Sequence, residues 1–239
     1  MLCTTRAIVL SKLKYRDNDL IVKCYTKQLG VVGFLIRGAL KSKKSGTKTA
    51  YFQLLSQLQI TFNYNPSRSL HSIKEVRPHY LYGTLHSHVL KSAVVLFLSE
   101  VLTTSLREEE NNEELYSYLE TALQWFDIHT EYSNFHLLFL LKFSKYLGFY
   151  PEEREMDLGF FNLMDGTFTS ESHDKYTVSG ENLILLKRLL GTTFDALDSI
   201  KISASRRQSF LSMMLLYFEL HLGGFKTPKS LQVFNQVFN

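Results

Sequence analysis

The sequence predicts an α+β chain of two domains. Residues 1–80 form a five-stranded β-barrel, and residues 81–239 form an all-α domain interrupted by a small β-hairpin near 158–170. Three observations predict it. Short apolar runs, one of them alternating strictly with period two, fill the first third of the chain, and apolar residues then recur at spacings of three and four. The charge changes sign at the same place: through Tyr80 there are 14 Lys and Arg against 3 acids, a net of +11, and from Leu81 onward 13 against 20, a net of −7. Asp165-Gly166 stands between alternating residues, the strongest short hairpin signal.

The elements follow in order. Residues 4–13 and 20–26 are rich in Ile, Val and Leu, and Leu29-Gly30 marks a turn before a third apolar run at 31–37. Residues 57–62 alternate strictly, the pattern of a half-buried strand. Asn65-Pro66-Ser67 makes the next turn, and 70–76 reads as a fifth strand. Five short strands without a convincing helix point to a small closed barrel. The OB-fold is the commonest of that size, with an SH3-like barrel as its rival. Residues 80–106 then carry Leu90, Val94, Phe97, Leu98 and Val101 on one helical face. An acidic break at 107–114 separates this segment from helices at 114–126 and 132–147, the latter ending at Gly148 with Pro151 beyond. After the hairpin, 182–190 and 205–222 are helical again.

With 239 residues, 45% of them hydrophobic, the chain is large enough for a real core. Its longest apolar stretch, 93–98, is far short of the about 20 residues a membrane span needs. The opening residues 1–6 lack the build of a signal peptide, and Cys3 and Cys24 are the only cysteines. A reducing, cytoplasmic (nucleoid-associated) setting is expected. No enzyme site assembles. Eight histidines are scattered, and His86 and His88 diverge on a helix because i and i+2 do not share a face. Gly-x-Ser-x-Gly, phosphate-loop glycines and metal-ligand spacings are absent. The run Glu108-Glu109-Glu110 with Glu113-Glu114 reads as a solvated loop, since carboxylates in a row repel. The expectation is a non-enzymatic protein with no cofactor and no metal.

The positive signal is basic. Arg37, Lys41, Lys43, Lys44 and Lys48 lie within twelve residues that contain no acid, after a strand and among glycines. A cationic loop at a barrel mouth can follow a phosphate backbone. Lys12, Lys14 and Arg16 form a second cationic group, read as the turn after the first strand. Tyr15, Tyr51 and Phe52 lie beside these cations; exposed, they would stack on bases, but core packing is the reading favoured for them.

Several segments resemble the RecO family of recombination mediators. They are Arg6-Ala7-Ile8-Val9-Leu10, Tyr15-Arg16-Asp17-Asn18-Asp19, Tyr25-Thr26 with Leu29-Gly30, and Arg37-Gly38-Ala39 with Lys41-Ser42. Two later segments agree: Tyr146-Leu147-Gly148-Phe149-Tyr150-Pro151, and residues 217–222 with Lys229-Ser230. The resemblance implies an N-terminal OB-fold and a helical C-terminal domain. It also implies binding of single- and double-stranded DNA, annealing without nucleotide hydrolysis, and a RecR-type partner. Such proteins help load RecA onto strands coated by single-stranded DNA-binding protein (SSB). Some members hold zinc through four cysteines in the C-terminal domain; this chain has none there, so the metal is not carried over. Members also dock the SSB C-terminal tail on the helical domain. The cations available for that here are Lys142, Lys145, Arg206 and Arg207, while the family's basic pair falls near the apolar Leu137 and Leu138. An OB-fold RNA-binding or translation-associated protein and a helical protein–protein adaptor are the alternatives.

Overall fold

A computed structural model describes residues 1–40, 46–106, 111–172 and 175–238. The chain divides into two compact units, residues 1–128 with 228–230 and residues 129–227 with 231–239.

The first unit is built on a curled six-stranded sheet, a half-barrel, with the order β5-β3-β2-β1-β4-β6. Its strands are β1 (Leu2–Tyr15), β2 (Asp19–Thr26), β3 (Gly30–Ile36), β4 (Gln57–Asn63), β5 (Leu70–His71) and β6 (Ile73–Tyr80). Alternation places Leu20, Val22 and Cys24 of β2 and Leu58, Ile60 and Phe62 of β4 inside, packed with Ala7, Val9, Phe34 and Phe52. Five strands were expected and six are found, because the last predicted strand is interrupted at Ser72. Its first part, β5, pairs parallel with β3 at Gly33–Leu70 and Phe34–His71, and its second part, β6, pairs antiparallel with β4. The parallel pairing demands a glycine: a Cβ on Gly33 would stand 2.8 Å from the Ser69 carbonyl oxygen. A short helix, α1 (Gly46–Tyr51), occupies part of what reads as a loop in the sequence.

Two helices pack with this sheet. In α2 (Val89–Ser105) the buried face carries Val94, Val95, Phe97, Leu98, Val101 and Leu102. α3 (Glu113–Ile128) starts at Asn112, whose Oδ1 accepts the Leu115 N–H at 2.9 Å. Glu113 and Glu114 add favourable charge to that N-terminal turn. Glu120 of α3 accepts both its hydrogen bonds from Arg6 Nη1, at 3.0 and 3.1 Å, and Gln57 Nε2 donates to the Glu120 carbonyl at 2.9 Å.

The second unit is mostly helical. Nearly every residue of α4 (Phe135–Tyr146) is buried, and Phe143 meets Phe218 of α6 (Ala204–His221) at 6.0 Å. Ser203 caps α6 by accepting the Arg206 N–H. α5 (Gly180–Leu190) and α7 (Leu231–Val237) complete the helices, with a 3₁₀ segment at Phe194–Ser199. The expected hairpin is present as β7 (Phe160–Asn162) and β8 (Thr167–Thr169). It gains a third strand, β9 (Thr177–Val178), paired to β7, so the insertion is a three-stranded sheet.

Candidate nucleic-acid interface

Of the cations singled out from the first 80 residues, Lys12, Lys14, Arg16 and Arg37 gather at one end of the sheet. β1 runs to Tyr15, so Lys12 and Lys14 lie in a strand, opposite Val22 and Leu20, and not in the turn after it. Both are exposed where β1 extends past the core. Arg16 sits in the turn with φ at 52°, its guanidinium 5.2 Å from the Tyr15 ring centre. Two hydrogen bonds, one to a side chain and one to a backbone carbonyl, join this turn to the segment after β3. Gly38 N–H donates to Asp19 Oδ1 at 2.8 Å, and Leu40 N–H donates to the Asn18 carbonyl at 3.0 Å. Arg37, exposed, is thereby held beside the β1–β2 turn. Lys41, Lys43 and Lys44 lie outside the described residues, as do Glu108, Glu109 and Glu110. Lys48 is on α1, and its side chain lies outside the description. Of the aromatics, Phe52 is core at 1% exposure, Tyr51 packs partly on the core, and Tyr15 is 37% exposed.

A groove of about 900 Å³ runs beside these groups. β3 and β5 are laddered at only two positions, and beyond them Leu35, Ile36 and Arg37 form one wall while residues 72–77 form the other. Lys74 and Arg77 line the groove with Arg37, and Gln59 and Thr61 supply polar groups on its β4 side. Arg77 Nε donates to Gln59 Oε1 at 2.6 Å, which fixes the guanidinium along the sheet. Lys74 and Arg77 were not singled out from the sequence. Their signal was available: Arg68, Lys74 and Arg77 face a single acid, Glu75, in the last stretch before residue 80. Two other cations are committed elsewhere, Arg6 to Glu120 and Lys27 to Glu113 at 3.4 Å.

The four cations of the helical half are not brought together. Lys142 is half-buried near the C-terminal end of α4, its pKa lowered by burial and by the Lys145 charge, with Glu153 opposing. Arg206 is paired with Glu181 at 2.9 Å, and Arg207 Nε donates to the Ser133 carbonyl at 3.2 Å, at the other end of α4. Leu137 and Leu138 are wholly buried and offer nothing to a ligand.

A zinc site of four thiolates does not fit the residues present. Cys3 is half-buried on β1 and Cys24 is buried on β2, where burial pushes its thiol well up. Among the described residues, no three His, Cys, Asp or Glu side chains are placed to hold a metal ion, and no helix is long and apolar enough to cross a membrane.

Comparison with known proteins agrees across the chain. Residues 1–82 match the family model described as recombination protein O N terminal, and residues 86–231 match that described as recombination protein O C terminal. The chain is similar to the DNA repair protein RecO of Christiangramia forsetii, 48% identical over 238 residues and 100% of both chains. It is 42% identical over 235 residues to that of Flavobacterium johnsoniae, covering 98% of each. The protein of the same name from Phocaeicola vulgatus is 35% identical over 243 residues and 100% of both.

Proposed function

Since the chain belongs to the RecO family of DNA repair proteins, we propose that its N-terminal sheet is an OB-type barrel that binds single- and double-stranded DNA. Counting β5 and β6 as one bent strand, the ladder is that of a partly open five-stranded barrel, which supports this reading. The observation that carries the binding is the clustering of Lys12, Lys14, Arg16 and Arg37 at one sheet end, continuous through Arg37 with the groove holding Lys74 and Arg77. Such a surface neutralises phosphates and reads no bases. It anneals complementary strands by screening their repulsion, without hydrolysis and without an enzyme's site. The protein then works beside a RecR-type partner to load RecA onto SSB-coated strands, in the cytoplasm at the nucleoid.

The variant Lys12→Glu/Lys14→Glu/Arg37→Glu is expected to weaken binding to all DNA sequences alike. It also flattens the dependence of log K on log salt by about 0.7 per lost contact on single strands and about 0.9 on duplex. Fluorescence anisotropy over a salt series measures both. An unchanged slope removes these residues from the interface, and annealing that demands hydrolysable ATP removes the mechanism.

For the SSB tail, the crowded Lys142–Lys145 pair is the better of the two cation sets. Each lysine raises the local potential for a carboxylate, whereas Arg206 and Arg207 already serve Glu181 and the Ser133 carbonyl. Titrating a labelled tail peptide onto the full chain is expected to show weaker binding for Lys142→Glu and little change for Arg206→Glu. The reverse order would move the site to α6.

A further inference from the structure

We propose that the cleft between the C-terminal ends of α1 and β6 receives one unpaired base of a single-stranded nucleic acid, an inference that rests on the DNA-binding reading above. The cleft holds about 260 Å³ and is walled by Tyr51, Gln53, Pro78, Tyr80, Tyr82 and His86. That volume lies just below the roughly 300–1,000 Å³ of ordinary small-molecule sites and is ample for one flat ring.

The rings are set before any ligand arrives. Tyr80 and Tyr82 meet edge to face at 5.2 Å, and Tyr82 and His86 at 5.4 Å. Backbone carbonyls fix two of them: the Tyr82 hydroxyl donates to Leu55 O at 3.1 Å, and His86 Nε2 donates to Leu54 O at 2.8 Å. Little side-chain freedom is left to lose on binding. Tyr51 and Tyr80 are only partly buried, so ring surface is open to a partner. Every base offers a face that stacks on such rings, and the Gln53 amide offers a donor and an acceptor to a base edge.

Charge decides between occupants. Burial lowers the His86 pKa, the Leu54 hydrogen bond and the Asp127 carboxylate oppose it, and the Lys12 ammonium adds to the lowering. Lys12, whose charge acts on the His86 ring, stands on the strand that also presents Lys14. A nucleic-acid strand gains from these lysines through its phosphates. A proline-rich peptide also favours tyrosine–proline walls, but gains nothing from adjoining cations.

The test uses the full chain and two strands of equal length, oligothymidylate and its abasic counterpart, which has the same phosphates and no bases. The unmodified protein is expected to bind the thymine strand about tenfold more tightly or better. Tyr80→Ala removes most of that preference and leaves the abasic strand's affinity unchanged, while Tyr80→Phe retains it. Equal binding of both strands, or a Tyr80→Ala variant weakened on both alike, overturns the cleft and leaves DNA binding standing. Binding to neither strand overturns the DNA-binding reading itself. A second measurement needs no variant: a strand carrying 5-iodouracil is expected to photocrosslink to Tyr51, Tyr80 or Tyr82. Crosslinks found only elsewhere, or protection of Tyr80 by a proline-rich peptide and not by the strand, refute the proposal.

Discussion

Asp127→Ala is expected to cost the first unit about 3–5 kcal/mol of unfolding free energy, enough to leave a marginally stable domain largely unfolded. Asp127 ends α3 at 3% exposure, and its carboxylate gathers the start of the segment that leads from β6 to α2. Oδ2 accepts the Gly83 N–H at 2.9 Å, and Oδ1 accepts the N–H groups of Thr84 and Leu85, both at 2.8 Å. The Lys91 ammonium, itself buried, donates to the Asp127 carbonyl at 2.7 Å and to Thr84 Oγ1 at 2.8 Å. Deleting the carboxylate strands three backbone donors and removes the charge that partners Lys91, leaving that buried cation uncompensated. Asp127→Asn keeps one acceptor but turns an NH₂ toward a backbone N–H, so an intermediate loss is expected. Urea unfolding at pH 7 measures both variants. A loss under about 1 kcal/mol for Asp127→Ala would show that the segment is held by other contacts. Burial opposes the carboxylate's charge, but the backbone donors and the Thr84 hydroxyl outweigh it and hold the pKa below its usual value. The contribution is therefore present above about pH 4 and is lost as pH falls through the lowered folded value.

The lock at Asp127 also shows where sequence reading ends. Its partners lie 42 to 44 residues upstream and are backbone N–H groups, which carry no signature in any residue type. By contrast β4 was legible because strict period-two alternation maps directly onto a one-sided core, and β2 because of its Ile, Val and Leu content. The end of β1 was not, since Lys12 and Lys14 read as turn residues until cross-strand partners are known. α1 escaped notice because Gly46-Thr47-Lys48-Thr49-Ala50-Tyr51 carries weak helix formers. Tertiary contacts hold it, with Thr49 Oγ1 donating to the Ala39 carbonyl at 2.9 Å and Phe52 buried just beyond. Half of the groove was equally hidden. Arg37 stood out as part of a basic run, whereas Lys74 and Arg77 face it only after the chain bends at Ser72 and β6 crosses to β4.

Acidification is expected to destabilise the second unit at a pH where Asp127 is still ionised, and His136→Leu is expected to abolish the effect. His136 lies in the first turn of α4 at 1% exposure, its ring 4.8 Å from that of Phe234 and 6.0 Å from that of Phe238. Neither ring nitrogen has a hydrogen-bond partner among the described residues. Burial, aided by the Arg207 charge, lowers its pKa to about 3. An unfolded imidazole titrates near 6.5. Between these values the unfolded state binds the extra proton, so stability falls as pH drops from about 6.5 towards 3, by up to about 1.4 kcal/mol per pH unit. At pH 5 the accumulated loss is about 2 kcal/mol. His136→Leu removes the titration together with two unsatisfied buried atoms, and is expected to be more stable than the parent chain by about 1–3 kcal/mol at pH 7. Because Phe234 belongs to α7, amide exchange in α7 should quicken between pH 7.5 and pH 5 in the parent and not in the variant. A pH dependence that persists undiminished in His136→Leu would assign the effect to carboxylates, whose window lies lower, and would show that His136 is protonated without opening its site.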